Sequence, residues 1–368
     1  MNIDWLTVEQ VFPETLPIIT DTAYQRIHIE TGEGSELTQP KFQHKGSFCD
    51  VLSIKISGKR LTVDGNPSRW GRLDNVIGYN SIDAAINCLN TVLTSLGLPS
   101  FTKGTSLNRL QGTDTFISNG AVLKRIDLAS NFSLSAHPEQ FLRALSMQRI
   151  ERSIPRLHTN GQTVDWLSAK GTVFSMYRKA YCKAFEMELH LLPKIKRAFG
   201  DKSTEFKYVT DLIEIVKSQN TVRLEQGLKS RYLQKHDLNN WGLFNEKRLI
   251  EIHQEFISVF EKLEVPEMNV HTIASRLVKD GICPSTRSAH TTAFYAMEWA
   301  HGTVFDLSKS SVKTHRARLR KIGIDIAQEF SSEKYQPVTI ERKAPIQIST
   351  FQVPIWYTKP TQNHLRVA

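Results

Sequence analysis

The chain has 368 residues, 40% hydrophobic and 9% aromatic, with 47 Lys and Arg against 37 Asp and Glu, a formal charge of +10 and a pI near 9.3. That length and apolar content bury a substantial core, which excludes a disordered protein and predicts two or three domains. The positive balance favours a polyanionic partner, nucleic acid or anionic lipid. No apolar run nears the ~20 residues of a membrane span and no leader follows Met1, so the expected location is the cytoplasm.

In chain order, the first forty residues read as an edge strand (Trp5, Leu6, Val8) and a loop ending near Gly32-Glu33-Gly34-Ser35. Residues 50–56 and 61–63 form a hairpin about Ser57-Gly58-Lys59-Arg60. After a polar stretch to Tyr79, Ser81 caps a helix carrying Ile82, Ala85, Ile86, Leu89, Val92 and Leu93, which Gly97 and Pro99 stop. A strand at 122–128, a helix from Pro138 to about Ile150 and strands near 163–167 and 172–181 follow. Helical spacing then runs from Phe185 to Lys196 and from Thr204 to Lys217, ahead of a strand at 221–225. From about Asn245 to Phe330 only helices are expected, and residues 331–368 read as an extended tail. The order predicts an α+β domain. Cys49, Cys88, Cys182 and Cys283 lack zinc-site spacing and read as reduced thiols.

Two of these strands share a pattern, Arg125-Ile126-Asp127 and Arg223-Leu224-Glu225. Alternation sends Ile126 and Leu128 to a core while Arg125 and Asp127 share the other face, as do Arg223 and Glu225. Taken alone, each pattern reads as a solvated or cross-strand ion pair. Between them lies Tyr177-Arg178-Lys179-Ala180-Tyr181-Cys182-Lys183-Ala184-Phe185-Glu186. Tyrosines, lysines and carboxylates around one sheet suit cleavage of DNA by a tyrosine nucleophile aided by a hard metal ion.

Ile3-Asp4-Trp5-Leu6, residues 61–78 with Gly65-Asn66-Pro67-Ser68-Arg69-Trp70-Gly71-Arg72, then Arg125-Ile126-Asp127, Ala180-Tyr181-Cys182-Lys183-Ala184-Phe185-Glu186 and Val222-Arg223-Leu224-Glu225 occur in one order. In that order the sequence resembles the gene II-type replication initiators of filamentous phages over roughly residues 1–330. The resemblance implies an antiparallel-sheet nickase domain with a helical C-terminal DNA-binding region, divided at 1–241, 242–330 and a tail 331–368. It implies a strand-specific endonuclease acting in the bacterial host's cytoplasm. Such an enzyme nicks double-stranded origin DNA, leaves a 3′-hydroxyl for the host polymerase working with a helicase, and later rejoins the displaced single strand.

Tyr181 matches the family's nucleophile, and Tyr177, four residues away on the same face, is kept as an auxiliary. Transesterification conserves the phosphodiester, so the step is reversible. A phenol of pKa ~10 needs a nearby cation or base, for which Lys183 and a bound metal are the candidates. Asp127, Glu186 and Glu225 are the expected ligands of Mg²⁺ or Mn²⁺, with His44 or His190 as candidate helpers. No His-hydrophobe-His triplet is present. Arg69, Trp70 and Arg72 are read as a strand-holding loop, alongside Arg125 and Arg223. A basic helix carrying Lys313, Arg316, Arg318 and Arg320, capped by Ser308 or Ser310 and preceded by a Gly302 turn, reads as a recognition helix. The alternatives are a sequence-specific DNA-binding regulator without nuclease activity and a tyrosine recombinase.

Overall fold

The computed structural model describes the chain apart from residues 36, 46–49, 110–111, 113–115, 136, 147, 169–170, 172–174, 262–263, 267–269, 301, 329–342, 346–347 and 361–368. Cys49, the start of the strand expected from Thr172, the end of the helical region at Phe330 and parts of the expected tail lie outside the described residues.

The elements run Asn2–Val11 (β1), Phe42–Lys45 (β2), Val51–Ser57 (β3), Arg60–Gly65 (β4), Ile82–Ser95 (α1), Leu107–Arg109 (β5), Phe116–Ser118 (β6) and Val122–Leu134 (β7). Next come Pro138–Leu145 (α2), Ile154–Leu157 (β8), Thr163–Leu167 (β9), Met176–Cys182 (β10), Lys183–Glu186 (α3), Leu192–Phe199 (α4) and Thr204–Ser218 (α5). Val222–Lys229 (β11), Ser230–Lys235 (α6) and Lys247–Glu261 (α7) complete this part. Then follow Glu264–Pro266 (β12), Val270–Lys279 (α8), Thr286–Ala300 (α9), Ser310–Arg320 (α10), Lys343–Pro345 (β13) and Ile348–Thr350 (β14). The chain divides into one unit of Met1–Glu261 with Gln347–Ala368 and another of Lys262–Ile346.

Among the described residues, the first unit is built on a ten-stranded sheet in the order β2-β3-β4-β1-β7-β11-β10-β9-β8, with β14 also paired to β7. Its pairings are antiparallel. The expected hairpin is β3 and β4, turning at Gly58 with φ +56°. The expected edge strand is instead interior: β1 lies between β4 and β7, and a register shift between Ile3 and Trp5 brings Ile3, Leu6 and Val8 into the buried core. Ile126, Leu128, Leu123, Val63, Leu61 and Leu228 share that core with α1 and with Leu249 and Ile252 of α7. Burial at this scale contributes roughly 25 cal/mol per Å² of apolar surface.

Helix α1 begins as its sequence requires, with Ser81 Oγ accepting from Ala84 N at 3.2 Å. Helix α2 ends at Leu145 rather than near Ile150. Helices α3 and α4 are joined by a π-helical turn, Met187–Leu191, just before Pro193, whose missing N–H leaves a carbonyl without its usual donor. A second core joins Ala184, Met187, Leu191, Ile195, Val209, Leu212 and Val216 of these helices and α5 to Val76, Phe351 and Tyr357. Residues 348–360 are thus not a free extended tail: β14 extends the line of β1 along β7, and Tyr357 is buried. Helix α7, expected beyond a boundary at 241, belongs to the sheet unit. Its His253 is buried against Ser130 of β7 and Gln226 of β11.

The second unit packs α8, α9 and α10 around Leu277, Ala289, Ala293, Ala296, Trp299, Val312, Leu319 and Ile322. It is not purely helical, since β12 pairs with β13. Helix α10 starts at Ser310 with Lys309 at its N-cap and no side-chain cap, while the Ser308 hydroxyl donates to Asp306 instead.

Candidate active site

Register places a row of polar side chains on the sheet face opposite the α1 and α7 core. In the β10–β11 pair, Tyr177 faces Gly227, Lys179 faces Glu225 and Tyr181 faces Arg223. In the β11–β7 pair, Gly227 faces Asp127, Glu225 faces Ala129 and Arg223 faces Asn131. A side-chain period of two keeps all of these on one surface.

Tyr181, 7% exposed, donates its hydroxyl to Glu225, which also takes Lys179 Nζ at 3.0 Å. The Lys179 ammonium stands 4.7 Å from the Tyr181 ring centre. Burial pushes the phenol well above its ordinary range, and the Glu225 charge adds to this. Burial opposes ionisation of Glu225 too, but the charges of Lys179 and Arg223 hold its carboxyl below the usual value. The pair is therefore a neutral phenol donating to an ionised carboxylate.

Arg223 is 1% exposed and spends its donors inward: Nε on Asn131 Oδ1 at 2.8 Å, Nη1 on Asp4 Oδ1 at 3.2 Å, Nη2 on the carbonyls of Asn75 at 2.5 Å and Val76 at 2.9 Å. It braces the site and offers nothing to DNA, contrary to its expected role as a DNA contact. Arg72 is likewise internal, bonding Ser68 O at 3.0 Å, Ile77 O at 2.7 Å, Tyr357 Oη at 2.8 Å and Thr358 O at 2.9 Å. A guanidinium that satisfies backbone carbonyls looks the same in a sequence as one that contacts DNA.

The second tyrosine repeats the arrangement one step along β10. Tyr177 Oη donates to Asp127 Oδ2 at 2.5 Å and accepts from Arg125 Nη2 at 2.9 Å. Arg125 holds Asp127 through Nε at 2.9 Å and Nη2 at 2.5 Å. Gly227 makes room for the ring, since a Cβ there would sit 1.9 Å from Tyr177 Cε1.

Lys183, expected to activate Tyr181, is buried and bonded elsewhere: its Nζ donates to Glu186 at 2.7 Å and Asn75 Oδ1 at 3.1 Å and lies over the Tyr181 ring, 6.0 Å from its centre. Burial lowers its pKa, helped by Arg223. Burial works against ionisation of Glu186, yet Lys183, Arg223 and Arg69 bring its pKa down to about 2. The loop is tied down by Ser68, whose hydroxyl donates to Ile3 O at 2.6 Å and accepts from Tyr79 N at 2.9 Å. Trp70 is half-buried, stacked on His44 at 5.2 Å and packed against the core, while His190 is exposed on the π-helical turn.

The three carboxylates expected to hold Mg²⁺ or Mn²⁺ do not make a common centre. Asp127 is taken by Arg125 and Tyr177, Glu225 by Tyr181 and Lys179, and Glu186 by Lys183. Among the described residues no group of three or more His, Cys, Asp or Glu side chains is placed to hold a metal ion. Carboxylates already neutralised by protein cations are poor ligands for a hard divalent ion.

In the helical unit, Arg316 is paired with Asp325 at 2.6 and 3.0 Å, and Arg318 Nη1 bonds Ser288 Oγ at 2.9 Å. Lys313 and Arg320 remain exposed, Arg320 with its Nε 3.8 Å from Asp325. The expected basic face of α10 is therefore half committed to its own fold. Among the described residues no helix is long and apolar enough to cross a membrane.

Sequence reasoning missed Asp4, Asn75 and Lys179. Asp4 gathers Arg223, Asn75 Nδ2 at 2.9 Å and Asn66 Nδ2 at 3.3 Å. Lys179 was within reach, because a residue midway between two tyrosines four apart must share their strand face. Asp4 and Asn75 were not, since they meet only through long-range folding.

A family model for the N-terminal part of the phage replication-associated proteins matches residues 2–255, and one for their C-terminal part matches residues 277–363. The replication-associated protein of Escherichia phage If1 is 45% identical over 323 residues, 86% of this chain and 100% of that protein. The protein of the same name from Enterobacteria phage I2-2 is 26% identical over 348 residues, 88% of each.

Proposed function

The chain belongs to this family of phage replication-associated proteins, and on that premise we propose that it is a replication initiator whose Tyr181 nicks one strand of the phage origin. Tyr181 Oη attacks the scissile phosphorus, the P–O3′ bond breaks, and the phenolic proton passes to Glu225. The 5′ phosphate is then esterified to Tyr181, and the departing 3′ oxygen takes a proton from solvent to become the primer hydroxyl. Reversal by a 3′-hydroxyl rejoins the displaced strand into a circle. The host polymerase and helicase are the partners this cycle needs.

The observation carrying this reading is the Tyr181 hydroxyl donating to a Glu225 carboxylate kept ionised by Lys179. The proton acceptor is already in place at hydrogen-bond distance. Lys179 keeps Glu225 charged, and that charge adds to burial in holding the phenol protonated in the free protein. The helical unit adds origin contacts through Lys313 and Arg320, and binding weakens steeply with salt.

Purified full-length protein incubated with supercoiled replicative-form DNA of its phage, with Mg²⁺, with Mn²⁺ and with chelator, tests the reading. Nicked circles carrying a Tyr181 peptide on their 5′ end are expected. An uncut circle in every condition leaves the DNA-binding regulator, and a peptide on the 3′ end leaves the recombinase. The buried state of Tyr181 gives the regulator its one support.

A further inference from the structure

We infer that Arg69 is the anion-binding group of the nicking site, gripping a non-bridging oxygen of the phosphate that Tyr181 attacks. This rests on the reading of Tyr181 as nucleophile and goes beyond it.

Arg69 closes the single 3-10 turn Pro67–Arg69 that Asn66 caps, its backbone N–H donating to Asn66 Oδ1 at 3.1 Å. Asn66 Nδ2 reaches Asp4 at 3.3 Å, and Asp4 takes Arg223, so the turn is locked to the polar cluster behind Tyr181. The positive charge of Arg69 acts on Glu186, the carboxylate that also lies in the field of Tyr181.

The guanidinium groups of three arginines at this site are occupied: Arg125 by Asp127 and Tyr177, Arg72 by backbone carbonyls and Tyr357, Arg223 by Asn131, Asp4 and two carbonyls. Arg69 differs. Its Nε is buried and, among the described residues, has no hydrogen-bond partner. A desolvated, unpaired donor is rare in folded proteins and calls for an acceptor that arrives with a ligand. A guanidinium matches the oxygens of a phosphate, and a fixed cation there stabilises the charge that builds on the phosphoryl oxygens during attack. Glu186, held by Lys183, is already neutralised and leaves Arg69 free for the incoming strand.

The test compares wild type, Arg69→Ala and Arg69→Lys as full-length proteins in single-turnover nicking of supercoiled replicative-form DNA, with origin affinity and thermal unfolding measured on the same preparations. Loss of one preorganised donor to the reacting group predicts cleavage slower by roughly 100-fold in Arg69→Ala, with unchanged affinity and melting temperature. Ethylguanidinium added to Arg69→Ala restores part of the rate, and Arg69→Lys falls between. A neutral methylphosphonate at the mapped nick removes most of the difference between wild type and Arg69→Ala.

Wild-type cleavage by Arg69→Ala, or a loss that tracks lowered melting temperature or affinity and ignores ethylguanidinium, overturns the assignment. Failure of the Tyr181 reading looks different: the covalent peptide maps to another residue in the wild type itself.

Discussion

Arg125-Ile126-Asp127 and Arg223-Leu224-Glu225 carry the same pattern on adjacent strands and meet opposite fates. On β7 the arginine folds back onto its own carboxylate and the two neutralise each other beneath Tyr177. On β11 the arginine turns away to Asn131, Asp4 and two backbone carbonyls, and leaves Glu225 to Tyr181 and Lys179. One carboxylate is paired with the arginine of its own strand, the other with a lysine and a tyrosine of the next. What separates them is the loop over residues 66–77, whose carbonyls draw Arg223 out of reach of its neighbour.

The sharpest way to break the comparison is to remove each phenol. Tyr181→Phe is expected to slow nicking by roughly 1,000-fold or more, in line with losing a covalent nucleophile, while Tyr177→Phe nicks at the wild-type rate. Equal losses from the two substitutions, read by gel on supercoiled DNA, make the two ends of β10 functionally equivalent and end the distinction.

Removing the arginines comes next. Arg223→Met strands Asp4 and the carbonyls of a buried network and is expected to cost about 3–5 kcal/mol in urea unfolding. Arg125→Met, at a half-exposed position, costs about 1–3 kcal/mol. The reverse order of unfolding midpoints contradicts the view that Arg223 is the structural one.

A smaller effect is expected from the acids. Glu225→Gln keeps the hydrogen bond but cannot take a proton, and slows single-turnover nicking by roughly 100-fold. Asp127→Asn leaves the rate intact. If the amide at 225 nicks as fast as the carboxylate, the proton goes elsewhere.

The reverse side of the same two strands yields the smallest change. His253, between Ser130 and Gln226, has its pKa pushed by burial from 6.5 to about 3. The unfolded chain takes up a proton below pH 6.5 that the folded chain refuses. Its stabilising contribution is therefore whole above pH 6.5 and is lost as pH falls toward 3, by about 2 kcal/mol at pH 5. Chemical unfolding at pH 7 and pH 5 measures it, and His253→Gln is expected to flatten the difference.

Much of the frame was legible in the sequence because it rests on local rules. The Ser81 cap, the Gly58 hairpin and the alternation of β7 and β11 each follow from residues close in the chain. The place of β1 in the middle of the sheet was not, since period-two alternation is the same in edge and interior strands. Tyr181 and Glu225 were both named, but not as partners, because a cross-strand bond depends on register that no short pattern encodes. Arg72, Arg223 and Arg316 turn inward, contrary to expectation, and the reason is the same: charge is visible in a sequence, and what satisfies it is not.

The route of the chain has a practical corollary. The sheet unit is left after Glu261 and resumed at Gln347, and the resumed segment sets Tyr357 Oη on Asp74 at 2.7 Å and on the Ile77 amide at 2.9 Å, within the loop that captures Arg223. The helical unit is thus an insertion, and a stop codon after residue 261 would strip the far buttress of that loop together with the helices. To study the sheet unit without the helical one, one excises 262–346 and splices the flanks with a short flexible bridge.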